Sequence, residues 1–185
     1  ANGYDIVFTA GDKNTLIPFQ VEEYDATTGE YVAWVKLPVL SATVNTDFYM
    51  FFGNASIATT LGSKTTWDAN YKAVYHLNSD VADWTSNAAS LTNSGTTNFS
   101  PGIAADGQRV GSGTYLSRPA TSGLQITGDL TLETWINFNS LISGSNENLI
   151  ISSSSNGSGS NFNTNYSLSV VGSGSSTGTF VFRWQ

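Results

Sequence analysis

The chain predicts an all-β fold of antiparallel sheets packed as sandwiches, and three observations carry that prediction. Apolar and polar residues alternate in short runs rich in aromatic and β-branched side chains. Gly, Asn, Asp and Ser bound those runs, which suits hairpin connections. No window of useful length keeps apolar residues at i, i+3, i+4 and i+7, so long helices are not expected.

Taken in order, "YDIVFTA" sets Ile6 and Phe8 on one face and Asp5, Val7 and Thr9 on the other. "EYVAWVKLPVL" sets Tyr31, Ala33, Val35 and Leu37 against Val32, Trp34 and Lys36. "TDFYMFF", "KAVYHL", "LTLETWINF", "NLIIS", "YSLSVV" and "TFVFRWQ" follow the same period and are expected as strands. In the strand reading Trp34 and Trp135, flanked by alternating apolar residues, belong to a core. "DATTGEY" places Gly29 where a hairpin loop needs a positive φ. "SSSSNGSGSN" and "GSGSST" read as flexible connections.

The clearest interruption is Ser56 to Thr66, "SIATTLGSKTT", polar and without apolar rhythm until Trp67. It is the expected seam between two units, residues 1–62 and 63–185. At 185 residues and 39% hydrophobic there is enough apolar surface for one sizeable core or two small ones.

Composition narrows the function. Charged residues are 11% of the chain, against roughly 25% in an average soluble domain. The remaining polar surface is Ser, Thr and Asn, a neutral and hydroxylated coat that suits an extracellular setting. Seven Lys+Arg against fourteen Asp+Glu give a net charge of −7, and the cations are scattered, so nucleic acid is not an expected partner. No apolar run approaches the roughly 20 residues that span a bilayer. "ANGYDIVFT" lacks the charged and apolar regions of a signal peptide, so a secreted parent protein would carry that signal outside this stretch. Without cysteine there is no disulfide, thiolate metal site or cysteine nucleophile.

Several stretches resemble a pairing found in large prokaryotic surface proteins. "NGYDIVFT", "TLIPFQVEEYDATTGEYVAWVKLPVLSATVNTDFYMFFGN" and "WDANYKAVYHL" resemble the C-terminal part of an uncharacterised β-sandwich module. "AVYHLNSD" and "YLSRPATSGLQITGDLTLETWINF" resemble the concanavalin A-like, laminin-G-type jelly roll that follows it. The resemblance implies a second unit that is a partial jelly roll, with further strands expected on both sides of the chain. Those strands would come from a longer polypeptide or from a partner chain, including copies of this one. It also implies adhesion or recognition of glycans or extracellular proteins through rim loops, without catalysis. A structural subunit of a filament or surface layer is the alternative.

The concanavalin A-like scaffold also hosts glycosidases, which need two carboxylates about 5 to 9.5 Å apart. Glu133 has no acid two or four residues on, and adjacent Glu22 and Glu23 point to opposite faces of a regular strand. A hydrolase or lyase with its catalytic residues beyond Gln185 stays open. His76, the lone histidine, supports no Ser-His-Asp arrangement and reads as a packed or surface strand residue. Calcium is the expected ion, since it takes carboxylate and amide oxygens. Asn78, Asp80 and Asp83 in "LNSDVADW", with Asp129 in "TGDL", are its candidate ligands, at a rim where such jelly rolls carry one. A glycan platform needs exposed rings ringed by polar groups, for which Trp84, Tyr115 and Trp184 are the candidates. Asn54, Asn98, Asn156 and Asn165 head Asn-X-Ser/Thr triplets and are candidate glycan acceptors.

Overall fold

The computed structural model describes residues 2–99, 101–119, 122–144, 147–154 and 164–184. It is an all-β protein, and every strand pair is antiparallel. The chain divides into two compact units, Ala1–Arg118 and Pro119–Gln185. The polar stretch from Ser56 to Thr66, and with it the expected seam at residues 62/63, lies inside the first unit.

In the first unit β1 (Val7–Ala10) pairs with β4 (Phe48–Phe51), Phe8 facing Met50. β2 (Phe19–Tyr24) pairs with β3 (Tyr31–Val35). Burial of Phe8, Ile17 and Phe19 makes the core, with Val21, Tyr31, Ala33 and Val35 packed on it. The Phe8 and Phe19 rings meet edge to face at 5.3 Å, the geometry that ring quadrupoles favour. The β2–β3 loop is the hairpin turn its sequence predicts: Gly29 sits at φ +77° and the Asp25 carboxylate accepts from the Thr27 N–H at 2.7 Å. The rest of the unit adds two small pairs, β5 (Thr92–Ser94) with β8 (Tyr115–Ser117) and β6 (Thr97–Phe99) with β7 (Gly107–Arg109).

Two expected strands are not strands. Through Lys72 to Leu77 the chain is irregular, and its backbone groups turn to Asp83 and Trp84 instead of a ladder. Leu77 then takes φ +59°, which ends any extended course. Residues 130–138 are irregular as well, and no strand pairs with them among the described residues. Trp135 is therefore 75% exposed rather than core. Trp34 is also not buried; at 41% exposure it covers a polar cluster described below.

Among the described residues the second unit holds one sheet, ordered β11-β10-β9 from β9 (Glu147–Ser154), β10 (Thr164–Gly172) and β11 (Gly178–Trp184). Tyr166, Leu168 and Val170 of β10 lie beside Trp184, Phe182 and Phe180 of β11, so six apolar side chains share one face. Segment 122–142 crosses that face: the Tyr166 hydroxyl donates to the Leu124 carbonyl at 2.9 Å, and Leu141 packs at Gly178. On the opposite face Glu147 accepts from Ser169 Oγ at 3.0 Å and from the Arg183 guanidinium.

Phe8 touches Phe19, Tyr31 and Phe48, so its removal opens a cavity that three rings cannot close. Phe8→Ala should cost about 3–5 kcal/mol. The check is the midpoint of urea unfolding at unchanged m-value.

Candidate functional site

Two places gather chemistry-bearing side chains, one in each unit. In the first, β2 carries a β-bulge: Val21 pairs with Ala33 and Glu23 with Val32, leaving Glu22 as the extra residue. The bulge interrupts the ladder of β2 at Glu22. Glu22 Oε2 lies 3.3 Å from His76 Nδ1 and accepts from the Trp34 indole N–H, and both the Glu22 and His76 side chains are 4% exposed. Trp67 donates its indole N–H to Gln20, one strand position-pair away on β2. The rings of Trp34, Trp67, His76 and Trp84 pack on one another at 5.4 to 6.2 Å. His76 Nε2 and the Trp84 indole N–H are buried with no hydrogen-bond partner among the described residues.

Asp83 anchors the floor of this region at 1% exposure. One carboxylate oxygen accepts from the Val74 N–H at 3.0 Å and the Thr85 N–H at 2.9 Å. The other accepts from Thr85 Oγ1 at 2.8 Å and the Ala89 N–H at 2.7 Å. Burial pushes this carboxyl up, but the backbone donors Thr85, Val74 and Ala89 with the Thr85 hydroxyl more than reverse it, leaving it below 3.8. For His76 burial is the larger influence and lowers it below 6.5, against the pull of Glu22 and Asp80.

In the second unit, Gly128, Asp129 and Leu130 face Phe182 and Trp184 across a groove of about 240 Å³. Alternation along β11 puts both rings on one face, two residues apart, each 55% exposed. An exposed acid, Asp129, and two half-exposed aromatic side chains thus line one recess.

Of the sequence-predicted residues, Trp184 and Asp129, one expected to bind glycan and the other calcium, come together in this groove. Trp84 is half-buried 5.9 Å from His76, in the cluster of the first unit. Tyr115 is exposed at the start of β8. Asp80 is exposed and closes a turn with the Ala82 N–H. The Asn78 amide is engaged by the Glu22 carbonyl and the Ser79 N–H. Asp83 spends its oxygens on four donors, and a cation there would have to displace them. Among the described residues no three His, Asp or Glu are placed to hold a metal ion. Asn54 is exposed in a turn, accepting from the Ser56 N–H. Asn98 lies in β6 and accepts from Gln108. Asn165 lies in β10 with the Ser167 of its triplet buried, and Asn156 lies outside the described residues. Neither the Glu22–His76 pairing nor the Phe182 wall was legible in sequence. The only local signal was the EE doublet and the F-x-F-x-W period.

Two pH effects follow. Because Asp83 is lower in the folded state, its stabilisation is present above 3.8 and is lost as pH falls through the folded value. Asp83→Asn, which keeps only one acceptor oxygen, should cost roughly 2–3 kcal/mol at neutral pH and remove this acid-side slope in denaturant titrations. Because folded His76 resists protonation, stability declines as pH drops below 6.5. His76→Gln should flatten that decline.

Residues 2–87, a little under half of the chain, match the family described as Domain of unknown function (DUF2341). That stretch holds the first core, the Glu22 bulge, the indole cluster and Asp83. No curated protein and no solved structure matches the chain.

Proposed function

We propose that this chain is a non-catalytic recognition segment of an extracellular or cell-surface protein, and that it holds glycans at the Asp129–Trp184 groove. The observation that carries this reading is the pair of open rings, Phe182 and Trp184, beside an exposed carboxylate. The apolar face of a sugar stacks on an aromatic ring while a carboxylate accepts from its hydroxyls. A surface low in charge and rich in hydroxyl groups agrees with that setting. The second unit is read as part of a concanavalin A-like jelly roll, supported by a three-stranded antiparallel sheet with one strongly apolar face. A shallow site of this kind gains strength through repeated display rather than depth. No reaction is assigned, because the buried acids Glu22 and Asp83 are committed to internal donors.

One observation favours a second reading, a subunit of a filament or surface layer. Among the described residues β11 is an edge strand whose Phe180, Phe182 and Trp184 are all exposed, and such an edge invites strand addition from a neighbouring copy.

Trp184→Ala should weaken binding to any glycan that the chain captures on an array by about thirtyfold or more, with the unfolding midpoint unchanged. Isothermal titration with the captured glycan checks it. Absence of hits on the array, with long polymers in electron micrographs of the pure chain, would move the assignment to the filament.

A further inference from the structure

The groove has a charge character that the glycan reading leaves unused. Residues 119–185 contain a single cation, Arg183, against Asp129, Glu133 and Glu147. Arg183 stands on the face opposite the rings, since it alternates with Phe182 and Trp184 along β11. There its guanidinium is bound by Glu147, through Nε at 2.9 Å and through Nη2. Within the unit, Asp129 and Glu133 are therefore left without a cation, and Asp129 lines the groove itself. The whole chain adds to this with a net charge of −7, a field that concentrates cations near the surface.

Rings and carboxylate work together on one kind of ligand. An ammonium group over the face of Trp or Phe is drawn by the ring quadrupole, Trp being the strongest of the side chains in this respect. A carboxylate beside it adds a charge-assisted hydrogen bond. A neutral hydroxyl in the same place also donates to the carboxylate, but without the Coulombic attraction of the ammonium or its pull toward the ring. At about 240 Å³ the groove is smaller than the roughly 300–1,000 Å³ of drug-sized pockets, which limits it to one ring of a longer chain.

We infer that the Asp129–Phe182–Trp184 groove selects a protonated amino sugar, taking one unacetylated 2-amino-2-deoxyhexose unit of a polysaccharide with its ammonium on Asp129 and its apolar face on the rings. This rests on the recognition reading and adds the ligand class to it. N-acetylation removes the positive charge and puts a bulky amide in its place, so the acetylated sugar should be rejected.

The test uses the 185-residue chain in isothermal titrations with a β-1,4-linked oligomer of 2-amino-2-deoxyglucose and with its fully N-acetylated counterpart. The amine oligomer is expected to bind at least tenfold more tightly, and the difference should shrink as salt is raised. Asp129→Asn should erase the preference by weakening the amine oligomer about tenfold while leaving the acetylated one unchanged. Trp184→Ala should weaken both, with circular dichroism and unfolding midpoint as for the parent. Equal binding of the two oligomers, or a preference that survives Asp129→Asn, overturns the amino-sugar assignment and leaves glycan recognition standing. Binding of neither oligomer, when other glycans on an array are captured through Trp184, overturns it equally. Failure of every saccharide overturns both readings together.

Discussion

The first unit depends on one buried carboxylate. Between Lys64 and Ser90 the chain forms no strand, only a single 3-10 turn at Lys64–Thr66, so its backbone polar groups have no ladder to satisfy them. Asp83 takes the ladder's place. Its side chain gathers donors from Val74, Thr85 and Ala89, while its own N–H donates to Ser90 Oγ and its carbonyl accepts from Lys64 Nζ. A buried charge is costly unless it is fully hydrogen-bonded, and this one is met from three stretches of chain at once. The same bonds that settle the charge fold the loop, which is why neither exists without the other.

On that floor rests the indole cluster, held from β2 by Gln20 and Glu22. A regular strand would send Glu22 and Gln20 to one face together and Glu23 to the other. The extra residue shifts the register after Val21, while Glu22 keeps the side of Gln20, meeting Trp34 across the hairpin and His76 from the irregular segment. Gln20 does the same for Trp67, and the Asn78 amide ties back to the Glu22 carbonyl at 3.2 Å. The β2–β3 hairpin and the irregular segment are therefore one packed body. The family match ends at residue 87, yet Asp83 accepts from the Ala89 N–H and donates its own N–H to Ser90 Oγ, both just beyond it. A compact unit that runs on to Arg118 is the physical counterpart of those bonds.

How much of this was legible in the sequence depends on whether the deciding contact is local. Alternation located β1, β3, β4, β9, β10 and β11, and Gly29 with Asp25 marked the β2–β3 hairpin, because side-chain period and turn chemistry act over a few residues. "KAVYHL" and "LTLETWINF" carry the same alternation and form no strand. Period reports which side chains could share a face, not whether a neighbour offers a ladder, and for Val74 the neighbour is a carboxylate nine residues on. Asp83 looks in sequence like its turn-forming neighbour Asp80; donors beyond the turn, from Val74 nine residues back and Ala89 six residues on, separate a 1% exposed anchor from an open turn acid. The groove was half visible. Asp129 and Trp184 were each singled out, but for different ligands, since 54 intervening residues hide that they share a wall.

That wall arises from uneven cover over one face of the second sheet. Tyr166 and Trp184 are direct cross-strand partners, yet Tyr166 is 5% exposed and Trp184 55%. The crossing segment 122–142 accounts for the contrast. It is bonded at Leu124 to the Tyr166 hydroxyl of β10 and lies so close to the end of that strand that a Cβ on Gly172 would sit 3.3 Å from the Leu141 Cβ. Over β11 it makes a recess only at Gly128–Leu130. The rings of β11 thus keep the spacing and direction of core residues while standing open to a ligand. A fixed sheet holds them there, so little side-chain freedom is left to lose when a sugar ring settles against them.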